Sequence, residues 1–249
     1  MKRMKNKTKN KMMLYGRNSV LERIKANPRS IRRVLVQDNF DVEYIIKKIK
    51  SAAIPLERVS KKRLMSSKRA EDLQGIVAEV NPFEYTPFEE LISASQRIRP
   101  TLIFLDRIYD PHNLGSIIRT AACFGNFAVV IPQHKACKVT EAVMHVASGG
   151  ENYVAVAMIS NLTNAMLAAK KQDYWIAGTS VEAGEDISSV ELAFPLGIVL
   201  GSEGEGVRYG VEKHLDKRLH IPMKGAGLSF NVAMACAVFC YEIVQQRGI

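Results

Sequence analysis

The sequence lacks any long apolar run. A membrane-spanning helix needs about 18 apolar residues, and the longest apolar stretch, 232–241, covers only about half of that length. The N-terminus also has no apolar core of the kind found in secretion signals. These absences exclude a transmembrane helix and predict a protein with no membrane partner.

Cysteine and metal-ligand patterns are also sparse. The four cysteines form no Cys-x-x-Cys pair, which predicts a reduced, cytoplasmic compartment. Two of them, Cys236 and Cys240, lie four residues apart on a predicted helix and are expected to pack in the core. The histidines show no metal-ligand spacing, so no metal is predicted. They are His112, His134, His145, His214 and His220.

Charge is distributed unevenly along the 249 residues. The chain has a net charge of +10, but residues 1–86 carry 21 Lys and Arg against 9 Asp and Glu, whereas 87–249 carry 14 against 16. The positive field of the front part favours a polyanionic partner, most simply nucleic acid. A lysine-rich surface that only keeps the protein soluble explains the charge equally well.

The pattern of the front part predicts a small α/β module behind a basic arm. Residues 1–11 contain six basic and no acidic residues and are predicted to be disordered. Residues 12–86 alternate between helical and strand-like patterns, and 87–100, which begins and ends with a proline, is interpreted as a linker. The predicted elements are helices at 17–26, 41–53 and 87–96 and strands at 31–37, 55–59 and 74–80.

The back part, 101–249, has longer apolar runs that are typical of buried strands. They alternate with helical stretches, a pattern that predicts a mainly parallel sheet covered on both faces. The strands are expected at 101–105, 127–131, 153–158, 174–178 and 196–200, and the helices at 114–124, 140–147, 161–172 and 231–246.

Three polar segments are predicted to follow strands, where open α/β sheets bind their ligands. The first, 110–119, contains Asn113, a candidate helix cap, and Arg119 in the second turn of that helix. The second, Gly201 to Gly206, has the spacing GxxGxG, and its two glutamates would repel a pyrophosphate. A cofactor with positive charge fits better, although a plain surface turn is at least as good an interpretation.

The third segment, 221–231, is rich in glycine and leads into the last helix. Either Ser229 or Asn231 could cap that helix, and the same polar side chains could belong to a binding site. Ser229 lacks the GxSxG pattern of a hydrolase nucleophile, which argues against hydrolase chemistry.

Together, NLGSIIRTAACFG, IVLGSEGEGV and IPMKGAGLSFNVAMA resemble the three motifs of the SpoU-type RNA ribose 2′-O-methyltransferases of the SPOUT superfamily. The front part, with YGRNSVLERI and LQGIVAEV, resembles the small L30e-like RNA-binding domain that precedes some members. The nearest likeness is to the branch that acts on guanosine in 23S ribosomal RNA. Family members often have Ser-Leu-Asn-Val-Ser where this chain has Phe230 and Ala233 at the second and last positions.

The resemblance implies a parallel-sheet SPOUT domain with a C-terminal trefoil knot, a homodimer with its pocket near the dimer interface, and S-adenosyl-L-methionine as cofactor. It assigns catalytic roles to Asn113, Arg119, Glu203, Ser229 and Asn231. It assigns cofactor binding to Thr179, Leu200, Gly201, Ile221, Met223, Leu228 and Phe230.

By the same analogy Arg119 is the central residue. A guanidinium is a poor base, because it stays protonated in proteins, so Arg119 is expected to orient the acceptor hydroxyl and stabilise developing negative charge. Three alternatives stay open: a tRNA substrate, methylation of a base in place of a ribose, and a non-catalytic RNA-binding protein of the same fold.

Overall fold

The computed structural model describes residues 11–64, 73–93, 99–181, 184–202, 204–226 and 228–248. The predicted basic arm therefore lies outside the described residues, apart from Lys11. Among the helices in these ranges, none combines the length and the apolar character needed to cross a bilayer.

The front module is a four-stranded sheet with helices packed on it. Strands run in the order β1-β4-β2-β3, where β2 and β3 are parallel and the other pairs antiparallel. The elements are β1 (Met12–Tyr15), α1 (Arg17–Ala26), β2 (Ile31–Gln37), α2 (Glu43–Ser51), β3 (Leu56–Val59), α3 (Lys61–Leu64) and β4 (Ile76–Val80). The predicted helices and strands are confirmed, while β1 and α3 were not expected.

The back part is built around a seven-stranded sheet. After α4 (Phe88–Ile92) come β5 (Thr101–Leu105), α5 (Pro111–Phe124), β6 (Phe127–Pro132), α6 (Glu141–Ala147), β7 (Ala155–Ile159), α7 (Leu162–Lys170), β8 (Trp175–Thr179), β9 (Glu185–Asp186), β10 (Leu196–Leu200), α8 (Tyr209–Glu212), β11 (Lys217–His220) and α9 (Val232–Arg247). Strands β5, β6 and β10 are buried along their whole length, because helices cover both faces of the sheet.

The strand order determines which loops meet at the edge of the sheet where the candidate site lies. The order is β7-β6-β5-β10-β8-β11-β9, and every pairing is parallel, as the apolar runs predict. Parallel strands share one carboxyl edge, where ligands bind in such sheets. The segments that follow β5, β8, β10 and β11 therefore emerge side by side.

Two helix starts are set by side-chain caps. Asp110, not Asn113, caps α5: its carboxylate accepts a hydrogen bond of 2.9 Å from the backbone N of His112. The expectation that Asn113 caps this helix is wrong, because Pro111 is well suited to the first helical position and the helix begins there. Because the helix begins at Pro111, Arg119 lies in its third turn instead of the second, which the sequence predicted. Asn231 caps α9 by accepting from the backbone N of Ala233 at 2.9 Å.

The predicted packing of two cysteines is confirmed. Cys236 and Cys240 are buried, and their Sγ atoms lie 3.8 Å apart on α9. The hydrogen bond with Cys240, together with burial, raises the pKa of the Cys236 thiol well above its ordinary value. These thiols are core groups and are not poised to react.

A set of polar contacts joins the front module to the back part. In this docking joint the Tyr15 ring stacks on His145 with centroids 4.4 Å apart, and the Tyr153 hydroxyl donates to Glu22 at 2.7 Å. At its centre Arg23 Nη2 lies 3.2 Å from Glu151 Oε1, with both side chains buried. Burial raises the pKa of the Glu151 carboxyl, and the charge of Arg23 opposes that rise.

The docking joint also braces helix α5. Glu151 belongs to a 3-10 turn, Gly150–Asn152, that packs directly on this helix. A Cβ atom at Gly150 would lie 3.0 Å from the Cα of Arg119, so only glycine allows the approach without a shift. The front module is therefore linked to the helix that carries Arg119.

The buried pair of the docking joint yields a stability prediction. We expect Arg23→Met to lower the free energy of unfolding by about 3–5 kcal/mol, because it leaves a buried carboxylate without its cation. The double variant Arg23→Met/Glu151→Leu should recover most of that loss, since no buried charge remains. Urea denaturation measures both. Equal losses in the single and double variants would contradict the ion-pair account.

Candidate active site

A cavity opens at the carboxyl ends of β8, β10 and β11. Its walls combine apolar side chains with the backbone of the glycine-rich loop 201–206. The lining residues are Thr179, Ser180, Val181, Leu200, Gly201, Ser202, Gly206, Ile221, Met223, Ser229, Phe230, Val232, Ala235 and Phe239.

Most residues that the resemblance assigns to the cofactor meet in this cavity. Six of the seven line it, namely Thr179, Leu200, Gly201, Ile221, Met223 and Phe230. Leu228 does not line it and is 74% exposed. Ser229, assigned a catalytic role, lies in the same cavity wall.

The glycine-rich loop folds back on itself. The backbone N of Gly206 donates to the carbonyl of Ser202 at 2.9 Å, which closes the loop. A Cβ atom at Gly201 would lie 2.1 Å from the carbonyl carbon of Gly206, so this return needs glycine at 201. Glu203, a predicted catalytic residue in this loop, lies outside the described residues.

Two residues that follow β5 hold the loop in place. Asp106 is fully buried and accepts from the backbone N of Arg208 at 2.9 Å and from its Nε at 2.8 Å, while Nη2 lies 2.7 Å away. Arg107 pairs with Glu205 and also donates to the carbonyl of Gly206 at 3.3 Å. We call these contacts of Asp106 and Arg107 with 205–208 the loop clamp.

An amide pair connects the first and third polar segments. Asn231 Nδ2 donates to Asn113 Oδ1 at 2.9 Å, and both residues are half-buried. The cap of α9 uses the other amide atom of Asn231 and the backbone of Ala233. That cap needs no hydroxyl at 233, so the alanine that departs from the family pattern leaves the helix start intact.

Arg119 lies apart from this pair. It is exposed on α5, six residues or about 1.7 turns beyond Asn113, which places the two side chains on different faces of the helix. Its guanidinium makes no hydrogen bond or ion pair with another residue in the described ranges. The structure thus brings Asn113, Ser229 and Asn231 to one end of the sheet and leaves Arg119 facing solvent.

Several site residues were missed by the sequence interpretation. Val232, Ala235 and Phe239 line the cavity from α9 with spacings of three and four residues, a helical-face signal that was present in the sequence. Asp106 and Arg208 gave no such signal, because their contact joins positions 102 residues apart.

The arrangement suits an organic ligand. Leu200, Ile221 and Phe239 offer an apolar surface, and the adjacent loop offers the backbone polar groups of Gly201, Ser202 and Gly206. Within the described part of the chain, no group of three His, Cys, Asp or Glu side chains could hold a metal ion.

Comparison with known proteins agrees with this geometry. Residues 100–241 match the model of the SpoU rRNA methylase family, and 13–86 match the model described as RNA 2′-O ribose methyltransferase substrate binding. An uncharacterised tRNA/rRNA methyltransferase of Synechocystis is 36% identical over 242 residues, which cover 95% of this chain and 63% of that relative. The 23S rRNA (guanosine-2′-O-)-methyltransferase RlmB of Coxiella burnetii is 34% identical over 239 residues, covering 94% of this chain and 95% of that one.

The fold is also found in solved structures. The SpoU methyltransferase AviRb of Streptomyces viridochromogenes, in complex with AdoMet, aligns with a TM-score of 0.79 at 19% identity, covering 95% of this chain and 90% of that one. At this identity the likeness supports the fold alone. The resemblance seen in the three polar segments is confirmed by the family model, and the chain belongs to the SpoU rRNA methylase family.

Proposed function

We propose that this protein transfers a methyl group from S-adenosylmethionine to the 2′-hydroxyl of a ribose in structured RNA, with 23S ribosomal RNA as the substrate. The observation that carries the proposal is the convergence of the three polar segments at one carboxyl edge, where Asn231 bonds to Asn113 beside the lined cavity. Family membership and the activity named for the Coxiella relative support it.

The cavity residues fit this cofactor. The apolar side chains of Leu200, Ile221 and Phe230 would hold the adenosyl group, and the closed loop at Gly201 would present its backbone. When bound, S-adenosylmethionine supplies a methyl group that is already activated for transfer.

The protein residues then position the acceptor. The Asn113–Asn231 pair fixes two amide groups at the cavity, and Ser229 adds a hydroxyl, so that a ribose can be held in one orientation. Arg119 would stabilise negative charge at the 2′-oxygen as the hydroxyl proton passes to water, and Glu203 would help to position Arg119 and the ribose. Because Arg119 faces solvent apart from the Asn113–Asn231 pair of its own chain, it would act on a ribose held by the second copy of the proposed dimer. An arginine cannot take up that proton itself.

The two modules divide the work. Residues 12–86 would bind RNA through their positive field, aided by the basic arm 1–11, while 101–249 would carry out transfer and 87–100 would connect them. The docking joint supports this division, since it holds the RNA-binding module at a set position relative to α5.

A homodimer and a trefoil knot belong to the same proposal. Helix α9 exposes Met234, Val238 and Tyr241 in one apolar stripe, which a second copy would cover close to Asn231. Strand β10 lies between β5 and β8, and β11 lies beyond β8, a strand order that supports the proposed knot. A ribosomal substrate and the four free cysteines support a cytoplasmic location.

The direct test of the function is transfer of tritiated methyl from S-adenosylmethionine to total RNA from cells that lack the protein. Nucleoside digestion should give a labelled 2′-O-methylnucleoside that originates from 23S RNA. Label in transfer RNA would show that the substrate is tRNA instead of 23S RNA. Label in a base would contradict methylation of the ribose. Absence of transfer with RNA binding retained would favour a non-catalytic RNA-binding protein.

Arg119→Ala should lower the rate of transfer by about 10²–10³-fold, the usual effect of removing one donor that stabilises developing negative charge. The dissociation constant for S-adenosylmethionine should stay unchanged, because Arg119 does not line the cavity. Arg119→Lys should retain intermediate activity, since it keeps the charge and loses the planar donor geometry. Loss of cofactor binding in Arg119→Ala would assign this residue to the cofactor instead.

Gly201→Ala should weaken S-adenosylmethionine binding by roughly tenfold or more, because its methyl group would collide with the returning loop backbone. Gly204→Ala, in the same loop with open space around it, is the matched control and should bind normally. Isothermal titration measures both. Equal affinities in the two variants would refute the role given to the closed loop.

Met234→Asp should shift the protein to a monomer, because a carboxylate in an apolar interface costs about 2 kcal/mol or more. Sedimentation velocity would detect the change. Leu167→Asp, a similar substitution of an exposed apolar residue on α7, should leave the dimer intact. A wild-type protein that sediments as a monomer at micromolar concentration would refute the dimer.

A further inference from the structure

A second cavity, of about 290 Å³, lies at the same carboxyl edge of the sheet. It is formed by the residues that follow β5, β6 and β7 and by the beginnings of α7 and α8. The described lining is Arg107, Pro132, His134, Lys135, Ser160, Asn161, Leu162, Thr163, Arg208, Gly210 and Val211. None of these residues lines the cofactor cavity.

The lining of this second cavity is basic. It contains Arg107, Lys135 and Arg208, and no acidic side chain occurs among its described residues. Arg208 is paired with the buried Asp106, and Arg107 with Glu205. Lys135 is exposed and makes no ion pair with another described residue, so its charge is available to a ligand.

Neutral donors surround these cations. Helix α7 has nine residues, and its cap, Asn161, accepts from the backbone N of Asn164 at 3.0 Å. The backbone N–H groups of Leu162 and Thr163 lie in the first turn of α7, before the N–H that Asn161 caps. They therefore have no acceptor within the helix. With the hydroxyls of Ser160 and Thr163, they give the cavity the donors that a phosphate oxygen requires.

The backbone of two cationic residues is in an uncommon conformation. Arg107 has φ of 62° and Lys135 has φ of 55°, both in the left-handed region that disfavours residues other than glycine. Residues held in this conformation are often found at binding sites. In both cases the residue lines the second cavity.

We infer that this second cavity binds a phosphate group of the RNA strand that carries the target ribose, an inference that rests on the proposed function. Arg107 and Arg208 belong to the loop clamp, so the basic cavity borders the same loop as the cofactor cavity. A strand whose ribose reaches the Asn113–Asn231 pair thus has an adjacent site for its backbone. The cavity positions the substrate and takes no part in the chemical step.

The test compares Lys135→Gln with Lys138→Gln, which removes the same charge three residues later, outside the cavity. In Lys135→Gln the dissociation constant for a 23S RNA fragment methylated by the wild type should rise roughly fivefold. The slope of log K against log salt should fall by about 0.7–1, as for one lost phosphate contact. The KM for that RNA should rise by a similar factor, while the dissociation constant for S-adenosylmethionine stays the same, because Lys135 does not line the cofactor cavity.

Binding by Lys135→Gln that equals the wild type would overturn the inference, as would an equal loss in Lys138→Gln. Weaker binding of inorganic phosphate with unchanged RNA affinity would also overturn it, by making this a site for free phosphate. Absence of transfer by the wild-type enzyme is a separate result that concerns the proposed function.

A chemical probe identifies the phosphate itself. RNA fragments with a single neutral methylphosphonate linkage near the methylated nucleotide should include one that weakens wild-type binding roughly fivefold. In Lys135→Gln that same linkage should cause no further loss, because the contact is already absent. Additive losses at every linkage tested would refute the assignment.

Discussion

The site depends on the contacts of Asp106, a residue whose carboxylate is buried. Its backbone N donates to the carbonyl of Leu200 at 2.9 Å, where the glycine-rich loop begins, and its side chain holds Arg208, where that loop ends. Both ends of the loop are thus fixed to the end of β5. Since Leu200 lines the cofactor cavity and Arg208 lines the basic cavity, the contacts of Asp106 help to set the geometry of both.

A second chain of contacts connects RNA binding to the position of Arg119. Arg23 of the front module pairs with Glu151, and the neighbouring Gly150 packs on the backbone of α5 at Arg119. A buried ion pair contributes little net stability against an apolar pair, but removing one of its partners is strongly destabilising. In the proposed function, this pair would help to set where an RNA bound to the front module meets the exposed Arg119.

Sequence patterns predicted the parallel sheet because its strands are short, apolar and buried on both faces. They missed β11, in which only Leu219 is buried, and wrongly made Asn113 a cap because Asp110 and Pro111 already start that helix. The family motifs identified most cavity residues, although Leu228 lies exposed outside the lining. Pairs such as Arg23 and Glu151 join residues 128 positions apart and follow only from the tertiary structure.

The central claim is that three separate segments of the chain form one methyl-transfer site at the carboxyl edge of the sheet. The most direct measurement is an experimental structure of the protein with S-adenosylmethionine and an RNA fragment bound. The account predicts the adenosyl group against Leu200, Ile221 and Phe230, with the target ribose facing the Asn113–Asn231 pair. A cofactor bound outside this cavity, or a ribose held away from that pair, would contradict it.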